Sequence, residues 1–228
     1  MVHTIPFKEK INSMKKEVNN LLAVSIMLLP AAYLAVIWNS LPQQVPMHFN
    51  LKMEPDRYGD KSELWLATGV MILVSIGVYF LLRNIQKLDP KRRSGGQASV
   101  FHKLAFGIAF FVTALNFLII ASVKGIHSVQ QYWVPLIGLL FAFLGNYMVN
   151  IKPNYFAGFR LPWTLADDNN WRKTHQLGGK LWFAGGILIA VVCLFLPVKT
   201  AFIFFIGIVV IITVVPVVYS YRIFKSQV

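Results

Sequence analysis

The sequence predicts an all-α fold: a polytopic membrane helical bundle of about six transmembrane helices, with both chain ends on the cytoplasmic side (N-in/C-in). Three observations carry this. Of 228 residues, 56% are hydrophobic and only 14% charged, the mean hydropathy is +0.58, and most charged residues are confined to short segments between long apolar runs. A soluble domain of this length would cover its core with charge. Crossing a hydrocarbon core of about 30 Å takes roughly 17 to 25 helical residues. Six apolar runs approach or reach that length, at 21–38, 64–82, 104–123, 132–150, 181–196 and 200–221. None shows strand-like alternation, and backbone groups in lipid must bond within their own segment, so each run is read as a helix.

Lys and Arg are retained on the cytoplasmic side during insertion. Lys8, Lys10, Lys15 and Lys16 precede the first run; Arg83, Lys87, Lys91, Arg92, Arg93 and Lys103 surround the second connection. Lys152, Arg160, Arg172, Lys173 and Lys180 fill the fourth connection, and Arg222 and Lys225 close the chain. Only Lys52, Arg57, Lys61, Lys124 and Lys199 fall in the outer segments, where Glu54, Asp56, Asp60 and Glu63 offset the first group. The net charge of +13 therefore reads as topology and contact with the lipid bilayer, not as direct nucleic-acid binding. The apolar stretch after Lys16 leaves through Asn39, Ser40 and Pro42, which reads as an uncleaved first span rather than a signal peptide. Cys193, the one cysteine, lies in the fifth run and supports neither a disulfide framework nor a Cys-based metal site.

The connection 82–101 is basic and contains Pro90, Ser94, Gly95 and Gly96, the composition of a flexible cytoplasmic linker. It divides an N-terminal two-span unit (1–90), with a structured outer loop at 41–62, from a four-span unit (91–228) with a cytoplasmic signature loop at 145–180. Short turns at 124–131 and 197–199 make spans three and four, and five and six, antiparallel neighbours.

In the outer loop, Pro42, Pro46 and Pro55 exclude a continuous helix, while Val45, Met47 and Phe49 alternate with Pro46 and His48 as in a short extended segment. Pro55-Asp56 followed by Gly59 predicts a tight turn, with Gly59 free to take positive φ. His48, Asn50, Asp56 and Arg57 either present a recognition surface or satisfy one another and cap the bundle. A metal site would need more ligands than His48, Asp56 and the distant His127.

In the inner loop, Thr164 with Asp167 after Pro162 reads as a helix N-cap, starting a helix near Leu165. Trp171, Thr174, His175, Gly178 and Gly179 then share one helical face. Gly178 and Gly179 recur as Gly185 and Gly186, a small-residue stripe that lets a neighbouring helix approach closely. Trp163 and Trp171 fit an interfacial aromatic belt. Arg160 and His175, among Asn146, Asn150 and Asn154, are candidates for one polar cluster at the inner membrane surface.

No Asp, Glu, Lys or Arg falls inside the six runs, which weakens a proton-coupled transporter. There is no His-Glu-x-x-His motif, Tyr58-Gly59-Asp60 lacks a second membrane-embedded Asp, and Ser75 and Ser122 have no His within their spans. No acid, base and nucleophile converge, so the chain reads as a non-enzyme needing no cofactor.

At the two loops the sequence resembles the SdpI family, bacterial membrane proteins that give immunity against a secreted toxic peptide. The stretch Leu41-Pro42, Pro46-x-His48-Phe49-Asn50 and Pro55-Asp56-Arg57-Tyr58-Gly59 is similar to the N-terminal domain of unknown function that often accompanies them. Gly145-Asn146, Pro153-Asn154, Gly158-x-Arg160, Pro162-Trp163-Thr164, Trp171, Thr174-His175 and Gly178 resemble the family's signature region. Met53 stands where a glycine is usual and Leu161 where a threonine is usual. The resemblance implies a multi-pass protein of the bacterial plasma membrane that binds or sequesters a membrane-active antimicrobial peptide, and signalling by recruitment of a transcriptional repressor. The residues expected to contact a ligand or partner are Asn146, Asn154, Arg160, Trp163, Thr164, Trp171, Thr174 and His175 inside. Outside they are His48, Phe49, Asn50, Pro55, Asp56, Arg57 and Gly59. The competing reading is a transporter or permease component exporting a peptide or lipid-like solute, against which the missing intramembrane charges count.

Overall fold

The computed structural model describes residues 7–50, 55–88, 97–124 and 127–226. Its helices are α1 (Phe7–Ile37), α2 (Glu63–Leu88), α3 (Ala98–Val123), α4 (Trp133–Met148), the short α5 (Pro162–Ala166), α6 (Asp168–Val192) and α7 (Val198–Lys225). An antiparallel pair, β1 (Gln44–Phe49) and β2 (Pro55–Asp60), lies between α1 and α2, and 3-10 turns follow α1 and precede α4.

Among the described residues five helices are long and apolar enough to cross a membrane: α1 from Glu17, α2, α3, α6 and α7. Several outrun their apolar stretches, because nothing in the flanking polar residues breaks a helix. α1 begins at Phe7 and carries Lys8 to Lys16 on its inner turns, and α6 begins at Asp168, thirteen residues ahead of the apolar run at 181. α4 is shorter than expected, 16 residues or about 24 Å. It is flanked by α3 and packs along α6, and backbone buried in protein tolerates irregular ends at membrane depth. An odd number of crossings would put Arg222 and Lys225 opposite Lys8 and Lys16, against the Lys/Arg asymmetry, so α4 is counted as the remaining span.

Both halves of the chain meet through α3, which packs against α1 and α2. Polar side chains assist there: Thr68 Oγ1 donates to Asn116 Oδ1 (3.4 Å) across α2 and α3, and both residues are buried. The middle of the linker, 89–96, including Pro90, Ser94, Gly95 and Gly96 and the expected boundary between the units, lies outside the described residues.

The glycine stripe finds three different neighbours. Gly179 and Gly186 face α4, where Gly138, Ala142 and Gly145 complete the contact: a Cβ on Gly179 would stand 2.8 Å from the Gly145 carbonyl oxygen, and one on Gly138 would stand 2.7 Å from the Ala190 nitrogen. Gly185 faces Ile208 and Ile212 of α7, and Gly178 faces the Phe159 ring. The two backbones of α4 and α6 touch because neither side has room for a side chain.

Candidate functional site

The outer hairpin has two faces. Val45 is fully buried and, with Leu41 and half-buried Met47, packs on Leu34, Ile37, Leu64, Ile120 and Val123 at the outer ends of α1, α2 and α3. Phe49 is half-buried. The alternation of β1 thus seats the hairpin as a cap. The pairing runs from Gln44 opposite Asp60 to Phe49 opposite Pro55, with irregularities on either side of His48. Such bulges re-aim side chains; here His48 stands opposite Arg57 on the solvent side.

His48 Nδ1 lies 2.5 Å from Asp56 Oδ1, and both side chains are exposed. Arg57 pairs with Glu63 at 3.8 Å, also exposed, and Tyr58 and Pro55 are exposed beside them. Asn50 is half-buried at the end of β1. The expected tight turn at Pro55 to Gly59 is corrected: these residues form β2, because β1 supplies the partners that an isolated turn would have to provide for itself. Residues 51–54, Met53 among them, lie outside the described residues. Gly59 does not take positive φ; a Cβ there would press on the Glu63 and Met47 side chains, which would have to shift. Asp60 anchors the base of the hairpin, accepting from the Ser62 backbone N–H (2.8 Å) and from Gln43 Nε2 (2.6 Å). The Ser62 backbone bond holds its carboxyl below the usual carboxylate range.

The inner loop is built around α6. Trp171, Thr174, His175, Gly178 and Gly179 are all buried, as their shared face predicts. The Trp171 and His175 rings stack at 4.0 Å, and the Trp171 indole N–H donates to the Ile151 carbonyl (2.8 Å). Trp171 is therefore a core residue and not part of an interfacial belt. His175 Nδ1 lies 2.8 Å from the Trp171 carbonyl, and its Nε2 accepts the Phe159 backbone N–H at 3.0 Å. A carbonyl cannot donate and an N–H cannot accept, so this pair of contacts selects the neutral ring with its proton on Nδ1. Gly158 sits against Nε2 with φ of 106°, where any side chain would be strained and would strike the ring.

Asn154 is fully buried and folds its own loop: Oδ1 accepts the N–H groups of Phe156 and Ala157 (both 2.8 Å) and Nδ2 donates to the carbonyl of Lys152 (2.9 Å). Thr164, also fully buried, donates to the Phe159 carbonyl (2.6 Å) and accepts the Leu161 N–H (3.0 Å). It sits inside α5 and is not the expected cap of the long helix. Asp167 caps α6, accepting the Asn169 N–H at 2.8 Å, because Pro162 starts a separate short helix first. Trp163 is half-buried against Tyr221 and Phe224 of α7, its indole N–H donating to Ser220 Oγ (2.9 Å).

Three participants, Asn170, Ser220 and Gln97, lie outside the expected set. Asn170, fully buried, donates to the Ser220 carbonyl (2.9 Å) and accepts from Thr174 Oγ1 (3.0 Å), tying α6 to α7. Gln97, buried ahead of α3, accepts the Lys152 backbone N–H at 2.7 Å. A buried Asn four residues before Thr174 on one helical face was a readable signal; a lone Ser220 in an apolar run was not.

Trp171 and His175 come together, and Thr174 joins Asn170 beside them, but the wider cluster does not form. Asn146 is exposed on α4, one residue beyond Gly145, which faces α6. Asn150 is exposed, and so is Arg160, which donates to the Tyr155 carbonyl at 2.7 Å. Where the ring nitrogens, indole N–H groups, Asn154 amide and Thr164 hydroxyl are buried, they bond within the chain. The inner loop is a latch tying the α4–α6 connection to α6 and α7.

The fold and these two features define a multi-pass helical protein of the cell membrane, capped outside by a hairpin and latched inside by a Trp/His-centred loop. Residues 150–220 match the SdpI/YfhL protein family, and residues 25–72 match a domain of unknown function, DUF1648. "Immunity protein SdpI" of Bacillus subtilis (strain 168) is 23% identical over 187 residues, covering 80% of this chain and 83% of that protein. No solved structure matches. Both halves of the chain thus carry the resemblance read from their residues: a region similar to the SdpI/YfhL family, containing the latch, behind a region similar to DUF1648, containing the cap.

Proposed function

We propose that this chain is a membrane immunity protein that gives resistance to a membrane-active antimicrobial peptide by binding or sequestering it at the outer face. The observation that carries the reading is the likeness to an immunity protein along 80% of the chain. The hairpin supports the outer face as the contact. His48, Asp56 and Arg57 are exposed on a rigidly seated cap, whereas the latch residues are buried and spoken for. Phe49, Asn50, Pro55 and Gly59 shape the hairpin that presents them.

Cells lacking the chain are expected to become sensitive to a secreted peptide of the producer or its neighbours, and re-expression to restore survival. The triple variant His48→Ala, Asp56→Ala, Arg57→Ala is expected to fail in that rescue at normal membrane abundance, since exposed ion pairs contribute only about 0–1 kcal/mol to stability. Full rescue by the triple variant would remove the hairpin from the mechanism; a deletion strain sensitive to no such peptide would remove immunity itself.

Recruitment of a transcriptional repressor is the inner-face part of the same reading. Arg160, Asn146 and the exposed edge of Trp163 would then be the docking groups. Arg160→Ala is expected to lower co-purification of that repressor severalfold without changing peptide survival. Unchanged recovery would count against an Arg160 contact.

A further inference from the structure

α1 and α4 both lie against α3 and leave between them a groove of about 900 Å³, which neither the cap nor the latch uses. Its walls are apolar, with Met27 of α1, Phe106 and Phe110 of α3, and Leu139 of α4 among them. Polar groups occur at one end only: Ser99, His102 and Lys103 on the first turns of α3, facing Tyr147 of α4. Lys103 Nζ stands 5.8 Å over the Tyr147 ring.

Three properties narrow the occupant. Along α3 the groove runs from Ser99 to Phe111, about 18 Å at 1.5 Å per residue. That is close to one leaflet of a hydrocarbon core about 30 Å thick, and too short for a spanning peptide helix. By the Lys/Arg asymmetry its polar end lies on the cytoplasmic side, where lipid headgroups of that leaflet sit. Among the described residues no carboxylate pairs with Lys103: the two ion pairs, His48–Asp56 and Arg57–Glu63, lie at the outer end of the bundle. Lys103 is exposed at this mouth, where its charge suits an anionic group.

We propose that this groove is a binding site for an anionic phospholipid of the cytoplasmic leaflet, its phosphate held at Lys103 and its acyl chain laid between α1 and α4. The site stands apart from immunity, and its test needs no toxin.

The full chain is reconstituted in mixed phosphatidylglycerol and phosphatidylcholine, purified in mild detergent, and its retained lipid counted by native mass spectrometry. Phosphatidylglycerol is expected to be retained about fivefold over phosphatidylcholine, the preference that one basic residue at the interface supplies. Lys103→Gln is expected to bring the two lipids to parity, and Leu139→Trp, filling the groove from an exposed position, to remove both. Should Leu139→Trp unfold, Phe110→Trp, also exposed, replaces it. Equal retention of the two lipids by the unaltered chain, or a preference that survives Lys103→Gln, would overturn the proposal. So would a dimer that buries Leu139 and excludes lipid.

Discussion

His175→Ala is expected to destabilise the protein by about 3 kcal/mol or more, the scale of deleting a buried aromatic side chain. The ring is 1% exposed and stacks on Trp171. Its loss opens a cavity beneath Phe159 and leaves the Phe159 N–H, now bonded to Nε2, without an acceptor. The consequence spreads because His175 is where the loop after α4 closes onto α6. Thermal unfolding in detergent should show the drop, and abundance in the membrane should fall with it. The comparison is Arg160→Ala. Arg160 is exposed and bonds one carbonyl of its own loop, so unfolding temperature and abundance should stay near those of the parent. Equal stability of the His175 variant and the parent would contradict the latch.

Gly186→Leu is expected to cost about 3 kcal/mol by overpacking, at the upper end of the usual range because backbone and not a movable side chain blocks the way. A Cβ at Gly186 would meet the Ala142 backbone and stand 2.6 Å from the Gly138 carbonyl oxygen. The helices must separate to admit it, losing the contact from Gly138 to Gly145 along α4. Gly69→Leu, Gly77→Leu and Gly207→Leu are built-in controls, since nothing lies within 4 Å of a Cβ at any of them. Unfolding midpoints should drop for Gly186→Leu alone. A uniform drop across all four would mean that leucine itself, rather than the α4–α6 contact, is responsible.

What the sequence revealed was what local period decides. Trp171, Thr174, His175, Gly178 and Gly179 fall on one face by helical spacing, and Val45, Met47 and Phe49 fall on one face by strand spacing. What it hid depends on partners distant in the chain. Pro55 to Gly59 looks like a turn until β1 is placed beside it. Ser220 looks like an ordinary small residue in a span until Asn170 and Trp163, 50 and 57 residues away, bond to it. Proximity in sequence also misled: Asn146, Asn150 and Asn154 read as a cluster, yet Asn154 turns into its own loop while the other two face outward. α4 is shorter than its apolar run because apolar character continues through Tyr132 and Val149, whereas the helix stops at Met148, ahead of Asn150, Lys152 and Pro153.

The proposed division of labour, recognition at the outer cap and integrity at the inner latch, is tested most directly by measuring survival and membrane abundance together, in a deletion strain challenged with the secreted peptide that kills it. Cells carrying the triple hairpin variant should contain normal amounts of protein and die, and cells carrying His175→Ala should lose protein and protection in step. The contradictory result is a hairpin variant that protects like the parent alongside a His175 variant present at full abundance that does not.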